Sequence, residues 1–332
     1  MRYTTVVESI TFGWVKSRRG EKQDMNRQII TVVGGTGAQG GGVADALLAS
    51  GQYAVRVVSR NPASESAERL KKRGVQVVKG DLLEPSSLRA AFEGAHGAFL
   101  VTNFWDPTQM QKETQIGNAA VKEAWAAGVQ HFIWSTLPDS EKLSGGRLKV
   151  PHFTGKARVD AAVEAAGFPR HTFVQAPFYF QNFLGMLAPQ PLPNGARGWA
   201  VPMDPAAQVI HAGDVNDVGR AVAAAFAAGD KLRNGSYLAV CGGVYSWNDF
   251  VSTLNAQGHD VQVQRAPADV YDTWFPGAPE VRETFEYFEQ CFYFGPERES
   301  RIAAAKALCP DGFIGFSDWA KLNLAPTNET VD

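Results

Sequence analysis

Residues 28–48 read QIITVVGGTGAQGGGVADALL, and the fold follows from how this stretch is parsed. A short β-branched apolar run, Ile29, Ile30, Val32 and Val33, meets a glycine cluster. The cluster opens into a helix-period pattern with Val43, Ala44, Leu47 and Leu48 on one side. In that strand-turn-helix order Gly34, Gly37 and Gly40 are evenly spaced. A close turn, an approach to a pyrophosphate and a tight helix-to-strand contact can then each have a residue without a Cβ. The helix presents unpaired N–H groups and the positive end of its dipole to phosphates. The spacing is GxxGxxG rather than the GxGxxG of many dehydrogenases and also fits an ordinary glycine-rich turn. Its place between a strand and a helix favours the dinucleotide reading.

Downstream the same alternation repeats. Tyr53–Ser59 reads as a second strand, 65–73 as a polar helix, 75–78 as a third strand and 97–102 as a fourth. A long helix over 108–127 is stopped by Gly128; a fifth strand over 130–135, a helix over 155–166 and a sixth strand over 171–176 follow. Strands separated by helical segments imply a doubly wound parallel α/β sheet of Rossmann type, with its ligand beyond the carboxyl ends of the strands. The expected division is a dinucleotide-binding domain over 25–176 and a smaller α/β domain over 177–332, interleaved with the cofactor cleft. Residues 1–24 lack a secretory pattern and read as a disordered or misassigned extension, with Met25 a plausible start.

Composition narrows the partners. The chain has 332 residues, 32 basic against 34 acidic, so it carries no electrostatic footprint for nucleic acid or an anionic membrane. Three widely spaced cysteines, Cys241, Cys291 and Cys309, form neither a disulfide framework nor a metal spacing, which fits a reducing cytosol. No apolar run approaches the roughly 20 residues that span a bilayer. A soluble, cytoplasmic protein is expected.

The strand ends carry the candidate site. Arg60 follows the second strand, where an acidic residue would bind the ribose 2′-hydroxyl of NAD; an arginine there can pair with a 2′-phosphate, which favours NADP(H). Asp81, after the third strand, can accept from the adenine amino group or cap the helix starting near 85–87. Thr102, Asn103, Phe104 and Trp105 sit at the expected nicotinamide edge, the rings either walling the cleft or packing beneath the second domain. Ser135 ends the fifth strand, as a substrate-orienting hydroxyl or a plain turn residue.

The segments ITVVGGTGAQGGGVA, VVSRNP, KGDL, FLVTNFWD, FIWSTL, GRLKVPHFTGKARVD, APFYFQNFL and FPGAPEV resemble the NmrA-like family, an atypical branch of the short-chain dehydrogenases, from Met25 to about Leu322. The likeness extends to its members described as NADPH sensors. It implies an NADP(H)-binding Rossmann domain with a smaller C-terminal domain, and a family that holds reductases as well as sensors. Typical short-chain dehydrogenases carry Tyr-x-x-x-Lys; here the pattern is His152-x-x-x-Lys156. The lysine is retained and the tyrosine is not. Lys156 reads first as a ribose-binding residue and second as a base; His152 can carry a proton, although a cationic lysine nearby disfavours a second charge.

The cofactor is thus expected to be NADP(H), held by Gly34, Thr36, Gly37, Gln39, Gly40, Arg60, Asp81, Asn103 and Lys156, with Lys156, His152 and Ser135 as catalytic candidates. Phe178, Tyr179, Phe180, Asn182 and Phe183 offer an apolar pocket for a small aromatic substrate, or interdomain packing. His211, Asp214 and Asp217 make a conceivable metal triad, but Asp217 reads better as a first-turn helix carboxylate, and no metal is expected. Phe285, Phe288 and Phe292 form a helical stripe. Two functions stay open: an NADPH-dependent oxidoreductase acting on a carbonyl or conjugated alkene, and a non-catalytic redox sensor acting on a protein partner such as a transcription factor, which would also allow a nuclear location.

Overall fold

The chain is described here by a computed structural model covering residues 27–325; the extension read over 1–24 lies outside the described residues. The first half alternates β1 (Ile29–Val33), α1 (Ala38–Ser50), β2 (Ala54–Ser59), α2 (Glu65–Lys72), β3 (Gln76–Lys79), α3 (Pro85–Phe92), β4 (Ala95–Leu100), α4 (Glu113–Ala126) and β5 (His131–Thr136). It continues through the short α5 (Ser140–Leu143), α6 (Pro151–Ala166) and β6 (Arg170–Gln175). Next come β7 (Phe178–Tyr179), β8 (Gln190–Pro191), β9 (Arg197–Val201), β10 (Ile210–Gly213), α7 (Val215–Ala228) and β11 (Ser236–Ala239). The remainder is β12 (Gly243–Tyr245), α8 (Trp247–Ala256), β13 (Gln262–Arg265), α9 (Ala268–Tyr271), α10 (Ala278–Cys291), α11 (Arg298–Leu308) and α12 (Phe316–Asn323).

The main sheet has the order β11-β6-β5-β4-β1-β2-β3, and its pairings are parallel throughout. The order reverses between β1 and β4, which opens the crevice at which such sheets bind ligands. Strand alternation assigns the two faces. Ile30 and Val32 of β1, with Ile133 of β5, join the core beneath α1 and α7. Val33, with Phe132 and Trp134, joins the opposite core beneath α3, α4 and α6. Beyond Ala176 the chain returns to this sheet, because β11 pairs with β6. Two three-stranded sheets, β12-β10-β7 and β13-β9-β8, carry the smaller C-terminal part.

Two helix starts differ from the sequence reading. Instead of one helix from Thr108, a 3₁₀ turn over Met110–Lys112 precedes α4. Asp106 causes the delay: its Oδ1 accepts from the Thr108 N–H at 3.0 Å and the Thr108 hydroxyl at 2.6 Å, while its carbonyl accepts from Gln109 and Met110. This local closure competes with the first helical turn. In the other direction, α6 begins at Pro151, not Gly155, since proline at the first helical position loses no hydrogen bond. His152 and Lys156 therefore lie one turn apart on one helix.

A third apolar core ties the two parts together. It unites Leu148, Val150 and Phe153 with Phe180, Phe183, Trp199, Trp247, Phe285, Phe288 and Trp319. The aromatic crossing divides accordingly: Phe180 and Phe183 are core, while Phe178, Tyr179 and Asn182 line the cleft. The stripe divides too. Phe285 and Phe288 are buried, whereas Phe292 has left α10, with φ 60° and the Arg298 guanidinium 3.8 Å from its ring centre.

Candidate functional site

A cavity of about 540 Å³ opens at the carboxyl ends of β1, β2, β4 and β5. Every residue expected to bind the cofactor or act on substrate lines it: Gly34, Thr36, Gly37, Gln39, Gly40, Arg60, Asp81, Asn103, Ser135, His152 and Lys156.

The glycine turn is built as its sequence requires. Gly34 has φ +79°, and a Cβ on it would meet Val101 Cγ1 at 2.8 Å. A Cβ on Gly40 would stand 2.3 Å from the Gly34 carbonyl oxygen, so helix and strand touch here backbone to backbone. No side chain caps α1 and its first turn holds no acidic residue, which leaves the positive helix end open to an anion in the cleft. These features fit a dinucleotide pyrophosphate. Gln39 also donates to Ser135 Oγ at 2.8 Å, so the first turn of α1 and the strand-end hydroxyl form one buried contact.

Arg60 extends from the end of β2 with its side chain 61% exposed and pairs with Asp106 Oδ2 at 2.9 Å. Hydrogen bonds from Thr108, and then from Arg60, hold the Asp106 carboxyl below its ordinary value. Asp81 does not cap α3, whose flanking residue Glu84 makes no side-chain cap. Its Oδ1 accepts instead from the Leu83 N–H at 2.9 Å, closing a local turn at the cavity wall.

Lys156 is buried in a closed polar cluster. Its Nζ donates to the Thr102 carbonyl at 3.0 Å, the Thr102 hydroxyl at 2.8 Å and Glu113 Oε1 at 2.5 Å. The Thr102 hydroxyl itself donates to Glu113 Oε1 at 2.6 Å. An ammonium has three donors, and all are engaged here, which fixes the lysine beside the end of β4. Glu113 is the residue that sequence reading missed. Gly155 makes room for it, since a Cβ there would stand 2.9 Å from Glu113 Oε2, but that contact exists only once α4 packs on α6.

His152, one turn before Lys156 on α6, lies among aromatic rings, with Phe104 at 5.5 Å, Trp105 at 5.1 Å and Phe153 at 5.0 Å between centroids. Its Nδ1 is 3.0 Å from Glu280 Oε1, a second partner that sequence distance concealed. Phe104 and Trp105 both line the cavity, although Phe104 is buried and Trp105 half exposed. Tyr179 and Tyr293 reach it too, and burial drives both phenols up, so both remain neutral hydroxyls. The conceivable triad at 211–217 is not a metal centre. His211 is buried with Nδ1 3.2 Å from the Val209 carbonyl, burial pushes its pKa down to about 4, and no group of three or more ligand-type residues gathers among the described residues. Asp217 lies in the first turn of α7, as read, with Asp214 capping it. No helix among the described residues is long and apolar enough to cross a membrane.

Comparison with known proteins agrees with this architecture. The model of the NmrA-like family matches residues 26–320. An NmrA-like family domain-containing oxidoreductase of Aspergillus japonicus, himF, is 38% identical over 160 residues, 47% of this chain and 48% of that protein. The matched stretch thus spans about half the length of that relative. Another from Aspergillus hancockii, hkm9, is 30% identical over 303 residues, covering 84% of this chain and 88% of its own. Among solved structures, NmrA, a negative transcriptional regulator, in complex with NADP, superposes with TM-score 0.75 at 25% identity, covering 89% of this chain and 94% of its own. The same regulator has been solved with NAD. The chain belongs to the NmrA-like family.

Proposed function

We propose that the protein binds NADP(H) in this cleft and reduces a small apolar or aromatic carbonyl compound or conjugated alkene. One observation carries the reading: the glycine turn, Arg60, Lys156 and His152 line the same cavity, whose other half is walled by Phe104, Trp105, Phe178, Leu187, Val281 and Phe285. The glycine turn and the open end of α1 would hold the pyrophosphate, Arg60 a 2′-phosphate, and Asn103 the nicotinamide end, where Lys156 would exchange one of its bonds to Thr102 for a ribose hydroxyl. Bound there, reduced dinucleotide supplies a hydride. The rings exclude water and stack on a flat substrate, and the imidazole of His152 is the side chain at that end suited to moving a proton. The names of the Aspergillus relatives support an oxidoreductase.

A sensor reading has its own support. All donors of Lys156 are engaged within the protein, and NmrA, a regulator, is similar over nearly the whole chain. In that case dinucleotide binding would break the Arg60–Asp106 pair and shift the loop carrying Trp105 toward a protein partner. The two readings separate in one assay, NADPH oxidation monitored against quinones, enones and aromatic aldehydes. Turnover lost in Lys156→Ala supports the reductase. Dinucleotide binding without turnover on any of them contradicts it and leaves the sensor.

A further inference from the structure

A reductase of this kind needs a proton source where the related enzymes carry a tyrosine, and the structure contains a built one. His152 is held on three sides by aromatic rings, and its Nδ1 meets Glu280 Oε1 at 3.0 Å. An ionised carboxylate only accepts, so Nδ1 carries the proton of this hydrogen bond and Nε2 is left as the atom open to exchange. Nε2 has no hydrogen-bond partner among the described residues, and the ring lines the cavity. Glu280 stands in the first turn of α10, fixed by Gly277 at φ +93° and by Pro279 at the helix start. Its helix also sends Val281, Thr284, Phe285 and Phe288 to the cavity wall.

We infer that His152 delivers the proton from Nε2 and that Glu280 is its positioning residue, so that the smaller C-terminal part completes a site begun by the Rossmann sheet. This rests on the reductase reading. The substrate is a neutral conjugated carbonyl compound, a quinone or enone. Its carbon gains the hydride given up by reduced nicotinamide dinucleotide, which is oxidised. Its oxygen gains the proton as the Nε2–H bond of the imidazolium breaks. Solvent then returns a proton to Nε2. The other polar side chains beside it, Tyr179, Asn182, Thr284 and Tyr293, are neutral, and Lys156 is tied to Thr102 and Glu113, so the imidazole is placed to orient the acceptor oxygen.

The test uses the full chain and the variants Glu280→Gln, Glu280→Asp, His152→Ala and the double variant His152→Ala/Glu280→Gln. Glu280→Gln is near-isosteric and keeps a hydrogen bond, so thermal unfolding should match the parent protein. Without cofactor, long-range ¹H–¹⁵N spectra of the imidazole nitrogens, assigned through His152→Ala, should show Nδ1 of His152 protonated in both its neutral and its imidazolium form, and in Glu280→Gln a neutral form that mixes tautomers. With a quinone that turns over, Glu280→Gln should lower kcat roughly ten- to hundredfold while KM and NADPH affinity stay within about twofold. Glu280→Asp should recover part of the loss, and the double variant should be no slower than His152→Ala, because the two residues act as one unit.

Unchanged kcat in Glu280→Gln, or losses that multiply in the double variant, would overturn the proposal while leaving the reductase intact. Should the parent protein bind NADPH yet reduce no carbonyl compound, the reductase reading itself fails and takes the proton-donor role with it.

Discussion

Lys156 and Glu113 are the most tightly constrained charged groups of the site, with side chains 11% and 2% exposed. A buried pair adds little net stability, but removing one partner strands the other. Glu113 Oε2 already has no hydrogen-bond partner among the described residues, so Lys156→Met leaves a buried carboxylate supported by the Thr102 hydroxyl alone. Urea denaturation should show Lys156→Met, and separately Glu113→Gln, each losing about 3 kcal/mol, with the double variant losing clearly less than the sum. Additive losses would show that the pair is not coupled. Lys156 was legible in the sequence because it keeps its place in the HFTGK run. Glu113 was not, because a glutamate that opens an amphipathic helix is ordinarily solvated, and only the packing of α4 on α6 turns this one inward.

At the scale of elements, α6 places its functional groups on different sides. His152 and Lys156 serve the cleft, while Asp160 faces the sheet edge, its Oδ2 accepting from Tyr237 at 2.9 Å. Burial pushes the Asp160 carboxyl up to about 7, the Tyr237 hydrogen bond pulling the other way and Glu164 adding to the rise. The folded state therefore holds a proton that the unfolded chain releases near pH 4, and the protein binds more protons folded than unfolded between those values. For this group stability is fully present below about pH 4 and is lost as pH rises through about 7. Asp160→Asn, which mimics the neutral acid, should flatten that decline, with a gain on the order of 2 kcal/mol at pH 8 and little change at pH 4 in denaturant melts. A uniform shift across pH would contradict it. Helix starts show the same limit on legibility. The sequence reading begins α6 at Gly155 and passes over Pro151, the residue that opens it, and the 3₁₀ turn ahead of α4 depends on Asp106 folding back on Thr108, a side-chain choice that periodicity does not record.

On the scale of the molecule, the alternation through β6 was readable because each parallel strand is a short apolar run between helical segments. The return of the chain was not. Residues 236–239 read SYLA, too short and mixed to mark a sheet strand, and they join the edge only because β6 offers unpaired backbone groups there. Likewise the glycine turn announced the cofactor half of the cleft, while Val281, Thr284 and Phe285 of its wall, and the Glu280 that holds His152, come from a helix more than a hundred residues downstream of His152. Phe153 fixes the two halves against each other through Tyr287 at 5.4 Å and Tyr293 at 5.3 Å.

Everything proposed here depends on this cleft holding a phosphorylated dinucleotide. The most direct measurement is calorimetric titration of NADPH and NADH into the full chain and into Arg60→Ala. NADPH should bind the parent protein, and Arg60→Ala should weaken it by at least about tenfold while leaving NADH nearly unchanged, since only the 2′-phosphate differs. Absence of binding heat for either dinucleotide, or equal weakening of both, would contradict the account.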